Sequence, residues 1–350
     1  MNRTALGKLF VAVGAAAVVS VSALLPTSVF AEESGLVNVY SARKEALIKP
    51  LFDRFTQDTG ITVNLVTGKA DALLKRLEVE GSASPADLFV TVDAGRLHRA
   101  KEAGVLQVAK SAVLEELIPA NLKDRDGYWY GMTQRARTIF YVKGKVDPAE
   151  LTTYEDLADP KWKKRICVRS SSNIYNQSLV ASMIDANGVE ATEVWAKGLV
   201  ANFAKPPAGG DTDQLKAAAA GVCDIAIANT YYFGRLLKST DEESQAVASK
   251  LTAFWPNQTD RGVHMNVSGV GVTKHARNLG NAVKLMEFMA SDESQAWYGE
   301  ENNEYPVVSG AKVSDVLDGL GQFKADDIDL SKLGENNRAA VELMDRAGWK

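Results

Sequence analysis

The stretch LVNVYSARKEALIKPLFDRFTQDTGITVNLV, residues 36–66, contains a complete strand–helix–strand unit and decides the fold class. Residues 36–40 form a short apolar run typical of a strand, and residues 44–55 repeat apolar side chains at helical spacing. Gly60 ends the helix, and residues 61–66 alternate as a second strand. Because strands and helices continue to alternate along the chain, we predict an α/β fold with mostly parallel central sheets.

The length of the chain and two long strands predict two lobes. Single hydrophobic cores stop growing at about 250 to 300 residues, and this chain has 350. Residues 135–141 and 267–272 read as strands that cross between the lobes and form a two-strand hinge. The expected first lobe comprises residues 32–135 with about 262–312, and the second comprises about 136–261 with 313–350.

The amino terminus reads as a secretory signal peptide, residues 1–31. Arg3 and Lys8 precede a short apolar run, and small residues precede a predicted cleavage near Ala31. No cysteine lies near that position, so we expect a free periplasmic protein and no lipoprotein. The formal net charge of −4 gives no reason to expect nucleic acid or an anionic membrane as a partner.

Two strand exits carry tyrosines at matching positions. Tyr175 lies eight residues after Cys167, and Tyr231, which is followed by Tyr232, lies eight residues after Cys223. A helix is predicted to follow each strand, with Ser172 or Asn173 and Thr230 as candidate caps. Helix amino termini carry partial positive charge and free amides, so they favour phenolate and can hold a small anion.

The tyrosines have two interpretations. Aromatic rings often pack in cores with the hydroxyl turned to a partner, and the sequence alone gives this interpretation about even weight for the Tyr231–Tyr232 pair. Alternatively, a trivalent metal makes the phenolates stable at neutral pH, since a free phenol has a pKa of about 10. Zinc or copper would more often recruit His or Cys, and the three histidines of the chain show no metal-ligand spacing.

Five segments of the mature chain give it a family resemblance. The chain resembles the periplasmic ferric-ion-binding proteins of ABC transporters, a bacterial transferrin-like family with the type II periplasmic binding protein fold. The segments are VNVYSARKEALIKPLFDRFTQDTGITV, SPADLFVTVDAGRL, RSSSNIYNQSLVASMI, ANTYYFGRL and ENNEYPV. The resemblance implies that Tyr175, Tyr231 and Tyr232 are the three phenolate ligands of Fe³⁺, and that an inner-membrane permease and its ATPase receive the iron from a monomeric carrier.

The first lobe departs from the family pattern. Many members have His, or His followed by Tyr, where this chain has Lys44 and Glu45, and the glutamate that some members use is absent from residues 89–93. The chain therefore resembles more closely the subgroup in which a small anion such as carbonate completes the iron shell. Glu45 is either a weak ligand or an exposed helix-start residue, and protonated Lys44 cannot bind the cation directly.

Several residues are candidates for binding the anion or supporting the ligands. Guanidinium groups match planar carbonate or carboxylate, although a salt bridge is an equally good interpretation of each arginine. The candidates are Arg43, Arg135, Arg137, Tyr40, Ser172 and Asn173.

The two cysteines are more consistent with a disulfide than with two buried thiols, because the compartment is oxidising. Cys167 and Cys223 are poor candidates for ligands of the hard ferric ion.

The main alternative function is binding of an oxyanion or small organic solute without metal, with residues 170–173 and the arginines gripping the solute. Catalysis is not expected, since the sequence has no GxSxG motif and no Cys/His pair at suggestive spacing.

Overall fold

The computed structural model describes residues 35–350, so the predicted signal peptide and its cleavage site lie outside the described residues. The strands are β1 (Leu36–Ser41), β2 (Thr62–Thr67), β3 (Leu88–Val92), β4 (Leu106–Gln107), β5 (Tyr130–Val142), β6 (Ile166–Cys167), β7 (Ile225–Asn229), β8 (Leu251–Phe254), β9 (Met265–Thr273) and β10 (Tyr305–Pro306). The helices are α1 (Lys49–Thr59), α2 (Ala70–Glu80), α3 (Ala94–Glu102), α4 (Ala112–Leu117), α5 (Ile174–Asn187), α6 (Val189–Ala201), α7 (Asp211–Ala219), α8 (Thr230–Lys238), α9 (Glu242–Lys250), α10 (Leu279–Met289), α11 (Asp292–Asn302), α12 (Asp315–Asp318), α13 (Ser331–Glu335) and α14 (Asn337–Arg346).

The strand–helix–strand unit predicted from residues 36–66 is present as β1, α1 and β2. Pro50 lies at the start of α1, where its missing amide hydrogen is tolerated, and Gly60 ends the helix in a left-handed conformation with φ of 72°. α1 buries Leu51, Phe52 and Phe55 on one face. The apolar spacing in the sequence therefore corresponds to the face that packs in the core.

The sheet has the strand order β2-β1-β3-β9-β5-β7-β6. β1 pairs in parallel with β2 and β3, and β6 pairs in parallel with β7. The long strands β5 and β9 instead pair antiparallel with their neighbours. The α/β class is confirmed as a mixed sheet, with parallel pairing confined to the outer strands of each half. The expectation of mostly parallel sheets was wrong, because β5 and β9 run antiparallel to their neighbours in the centre of the sheet.

β5 is the strand that connects the two halves of the sheet. Residues 130–136 pair with β9, and residues 137–141 pair with β7. The partner therefore changes between Ala136 and Arg137. This is the crossing strand predicted from residues 135–141, and β9 contains the second predicted segment, residues 267–272. The limits proposed for the two lobes stay a prediction.

The carboxy-terminal segment contacts both halves. The Leu330 amide donates to the carbonyl of Asn121, whereas the Asn336 side chain donates to the carbonyl of Ala181 on α5. Among residues 35–350, no helix is long and apolar enough to cross a membrane.

A buried histidine lies just before β9. His264 is 2% exposed, and its pKa falls to about 3 because burial disfavours the charged ring and because Arg137, Arg261 and Arg135 are nearby. His264 therefore stays neutral in the folded protein as the pH falls from 6.5 to about 3, whereas the same histidine binds a proton in the unfolded chain.

We predict that this histidine makes the protein sensitive to acid. Between pH 6.5 and about 3, the unfolded chain binds a proton at His264 that the folded chain does not, so the free energy of unfolding falls as the pH is lowered. At pH 5 the loss should be about 2 kcal/mol relative to pH 7.5. Urea unfolding at both pH values should show that His264→Gln removes this part of the decrease.

The matched control is His275→Gln, because His275 is exposed. The same pH-dependent decrease in the His264→Gln protein would contradict this prediction.

Candidate functional site

The two cysteines form a disulfide in the half of the molecule that carries the tyrosines. Cys167, at the end of β6, is bonded to Cys223, which lies just before β7. The predicted bond is thus confirmed. Because β6 and β7 are also parallel neighbours, the two strands that lead to the tyrosines are held side by side.

Each tyrosine lies in the first turn of a helix that begins where its strand has ended. Tyr175 is the second residue of α5, whereas Tyr231 and Tyr232 are the second and third residues of α8. Asn173 caps α5, because its side-chain oxygen accepts from the Tyr175 amide at 3.1 Å. The cap residue of α8 is Asn229, so the expectation that Thr230 would serve was wrong by one residue. Both helix amino termini are therefore directed at the same region.

The three tyrosines line one cavity of about 190 Å³. The Tyr231 hydroxyl donates to the Tyr175 hydroxyl at 3.2 Å, and the rings of Tyr231 and Tyr232 lie 4.3 Å apart. The cavity is lined by Ala42, Arg43, Lys44, Leu47, Val92, Arg135, Tyr175, Tyr231, Tyr232, Arg235 and Glu304. A larger groove, of about 430 Å³, runs beside α8 and α9 and contains none of the tyrosines; among the described residues, Lys143 is its one charged lining residue. Ionisable side chains are thus concentrated in the smaller cavity.

The cavity favours neutral phenols until a cation arrives. Burial raises the pKa of Tyr231 well above its usual value, and the neighbouring hydroxyls of Tyr175 and Tyr232 raise it further. The pKa of Tyr232 is also raised, by burial and then by Tyr175 and Asp211. Three phenolates this close would repel one another, so only a strongly charged cation among their oxygens would make all three stable.

Arginine side chains surround the tyrosine rings. The Arg235 guanidinium lies 5.0 Å from the Tyr231 ring centroid and 5.6 Å from that of Tyr232. Arg135 lies 5.8 Å from the Tyr231 centroid, and Arg169 lies 5.6 Å from the Tyr175 centroid. The positive charges of these three guanidinium groups favour ionisation of the phenols and attract an anion.

The predicted arginine candidates divide into two groups. Arg43 and Arg135 line the cavity, whereas Arg137 does not. Arg137 Nη1 pairs with Asp211 at 3.1 Å and also donates to the Asn229 side chain, whereas Nε and Nη2 donate to the Asn176 side chain. The salt-bridge interpretation therefore describes Arg137, and Arg43 likewise pairs with Glu304 at 2.8 Å although it lines the cavity.

Arg137 nevertheless contacts both of the segments that carry the tyrosines. Asn176 follows Tyr175, and Asn229 precedes the turn that carries Tyr231, so one guanidinium contacts both tyrosine-bearing segments. Asp211 also accepts from the Asn229 amide at 3.0 Å. This buried network, which we call the Arg137 brace, comprises Arg137, Asp211, Asn176 and Asn229.

The remaining candidates lie away from the cavity or at its mouth. The Tyr40 hydroxyl donates to Glu80, and Ser172 is exposed with its hydroxyl 3.0 Å from that of Ser170. Asn173 acts as the helix cap described above. Lys44 lines the cavity but Glu45 does not.

Two cavity residues were missed by the sequence analysis. Arg235 is four residues after Tyr231 in α8, so helical spacing could have placed it on the same face. Glu304 approaches from a segment more than 250 residues away from Arg43, and no local pattern signals it. Among residues 35–350, no group of three His, Cys, Asp or Glu side chains could hold a metal ion.

The two-part sheet, with its site between a crossing strand and two helix amino termini, is the architecture of type II periplasmic binding proteins. The chain belongs to the bacterial extracellular solute-binding protein family, whose model matches residues 40–296. The resemblance inferred from the sequence is therefore confirmed.

Relatives whose names refer to iron match most of the chain. Iron uptake protein A1 of Synechocystis sp. is 48% identical over 353 residues, covering 98% of each chain. The Fe(3+)-binding periplasmic protein of Serratia marcescens is 30% identical over 318 residues, covering 90% of this chain and 91% of the relative.

Solved structures agree with the fold. A Trichodesmium protein in complex with iron and citrate ligands has a TM-score of 0.88 and 53% identity, covering 90% of this chain and 100% of that one. The ferric binding protein from Campylobacter jejuni has a TM-score of 0.86 and 41% identity, with the same coverage.

We predict that removing one partner of the Arg137 brace strongly destabilises the protein. Arg137→Gln leaves Asp211 as a buried carboxylate without its main partner, so the free energy of unfolding should fall by about 3 to 5 kcal/mol in urea denaturation. The double variant Arg137→Gln/Asp211→Asn should recover part of the loss, because it removes both charges. A loss below about 1 kcal/mol in the single variant would show that the ion pair between Arg137 and Asp211 contributes no more than an exposed one.

Proposed function

We propose that the protein captures ferric iron in the periplasm through the phenolate oxygens of Tyr175, Tyr231 and Tyr232. The observation that carries this proposal is the convergence of three tyrosines from two helix amino termini on one arginine-rich cavity. Phenolate is a hard anionic oxygen donor, which suits Fe³⁺. The names of the relatives support the same cargo, since they describe iron uptake and Fe(3+) binding.

Charge balance then indicates how the site is completed. Three phenolates neutralise the charge of a ferric ion, and the remaining coordination positions would be filled by a small oxyanion such as carbonate or a carboxylate. Arg135 supplies positive charge at the cavity wall, and its Nε and Nη1 atoms are buried without a hydrogen-bond partner among residues 35–350. Buried donors of this kind are costly unless a ligand satisfies them. The citrate in the Trichodesmium complex is consistent with an oxyanion at such a position.

The transport cycle follows from the two-part architecture. Iron binds first to the tyrosines of the second lobe, and closure about β5 and β9 then brings the first-lobe arginines to the anion. Closure is favoured only by contacts that the closed form alone makes, and those contacts involve the bound anion. We propose that an ABC permease with its ATPase recognises the closed monomer, and that protonation or reduction releases the iron.

Addition of ferric iron to the stripped protein tests the proposal. Phenolate ligation should produce an intense visible charge-transfer band, and Tyr231→Phe should weaken the band and lower the iron affinity by more than about tenfold. The matched control is Tyr40→Phe, because the Tyr40 hydroxyl contacts Glu80 outside the cavity and its loss should leave the band unchanged. A protein that binds an oxyanion or organic solute tightly but stays colourless with iron would support the metal-free alternative.

A further inference from the structure

Glu304 lies at the centre of a buried network in the wall of the tyrosine cavity. Its carboxylate accepts from Arg43 Nη2 at 2.8 Å, from Arg43 Nη1 at 3.3 Å and from the Thr133 hydroxyl at 3.0 Å. Ser268 Oγ lies 3.4 Å away, and Arg135 Nη2 lies 3.9 Å away. These groups come from the turn after β1, from β5 and from β9, so a single carboxylate joins the first-lobe elements at the site.

The two arginines of this network differ in how many of their guanidinium nitrogens are hydrogen-bonded. Both terminal nitrogens of Arg43 are bonded, one to Ser268 and Glu304 and the other to Glu304. Arg135 has one terminal nitrogen bonded to Ser268 at 2.8 Å, whereas its Nε and Nη1 have no partner in the described part of the chain. Arg43 Nε also lacks a partner in the described part of the chain, but both terminal nitrogens of Arg43 are bonded to Glu304 or Ser268. Arg135 leaves two of its three nitrogens available to a ligand.

The network also sets the charge of the cavity wall. Burial opposes ionisation of Glu304, but the charges of Arg43 and Arg135 and the hydrogen bonds from Arg43 and Thr133 hold its pKa below the usual value. The ionised carboxylate offsets the charge of Arg43. Glu304 lies 2.8 Å from Arg43 but 3.9 Å from Arg135, so it offsets more of the charge of Arg43, and an incoming anion meets a larger share of the charge of Arg135.

We propose that Glu304 is a positioning residue that occupies and neutralises Arg43, so that Arg135 is the main donor to the oxyanion and the anion is held loosely enough to be released. This inference rests on the proposed function, since it concerns the oxyanion that completes the iron site. If Glu304 were only a structural contact, its removal would weaken anion binding; the proposed role predicts the opposite effect. Removal of the carboxylate charge strengthens anion binding instead of weakening it, because Arg43 gains a free charge beside Arg135.

The test compares variants of the iron-loaded full chain with citrate as the probe. The measured quantity is the citrate concentration that gives half of the shift in the phenolate band. Glu304→Gln keeps the size of the side chain and an acceptor for Arg43, and it should lower this concentration by about tenfold, the effect of about 1.4 kcal/mol. Arg43→Gln should raise it, because the freed Glu304 then pairs with Arg135.

The double variant Arg43→Gln/Glu304→Gln completes the double-mutant cycle: the wall keeps its net charge, so the opposite effects of the two single variants should largely cancel. It also keeps the inference testable if either single variant does not fold. A Glu304→Gln protein that binds citrate equally or less well would overturn the inference, as would a double variant that differs from the unmodified protein as much as Arg43→Gln does.

The two proposals fail in distinguishable ways. Absence of a phenolate band in the unmodified protein would refute the proposed function itself. A normal band whose citrate dependence is unchanged by Glu304→Gln would refute only the role of Glu304.

Discussion

The buried ion pair between Arg137 and Asp211 is the interaction on which the rest of the site depends. Tyrosines at two separate strand exits can share one ligand only if their loops are fixed relative to each other. The Arg137 guanidinium contacts Asn176 beside Tyr175 and Asn229 before Tyr231, and the disulfide holds the strands that lead to both loops. A buried ion pair adds little net stability compared with apolar packing. Here, however, one guanidinium donates to side chains of three separate segments, Asp211, Asn176 and Asn229, and so fixes the two loops relative to each other.

Strand β5 places one arginine on each side of the point at which its partner changes. Arg135 and Arg137 are two residues apart in β5, so they point to one face of the sheet. β5 changes its partner between them, from β9 to β7. Arg135 consequently joins the cavity wall of the first half, and Arg137 joins the brace of the second. A rotation of the lobes about this strand would move the first arginine relative to the tyrosines and leave the second in place.

The sequence predicts the local strands, helices and tyrosine loops better than the contacts between segments that are distant in the chain. Apolar spacing is sufficient for β1, α1 and β2, and the matched distances from cysteine to tyrosine identify the two loops, because these signals are local. Helical spacing would also have placed Arg235 beside Tyr231. Nothing local links Glu304 to Arg43 or Asp211 to Arg137, since those contacts depend on how distant segments pack. For the same reason, the sequence could not distinguish Arg137 as a brace from Arg135 as a candidate anion donor.

The central claim is that three phenolate oxygens bind one ferric ion. A crystal structure of the iron-loaded protein, with anomalous scattering measured on either side of the iron absorption edge, tests it most directly. We expect a single iron peak bonded to the hydroxyl oxygens of Tyr175, Tyr231 and Tyr232, with an oxyanion between the iron and Arg135. An iron peak elsewhere, or a metal-free solute occupying the space among the three hydroxyls, would contradict it.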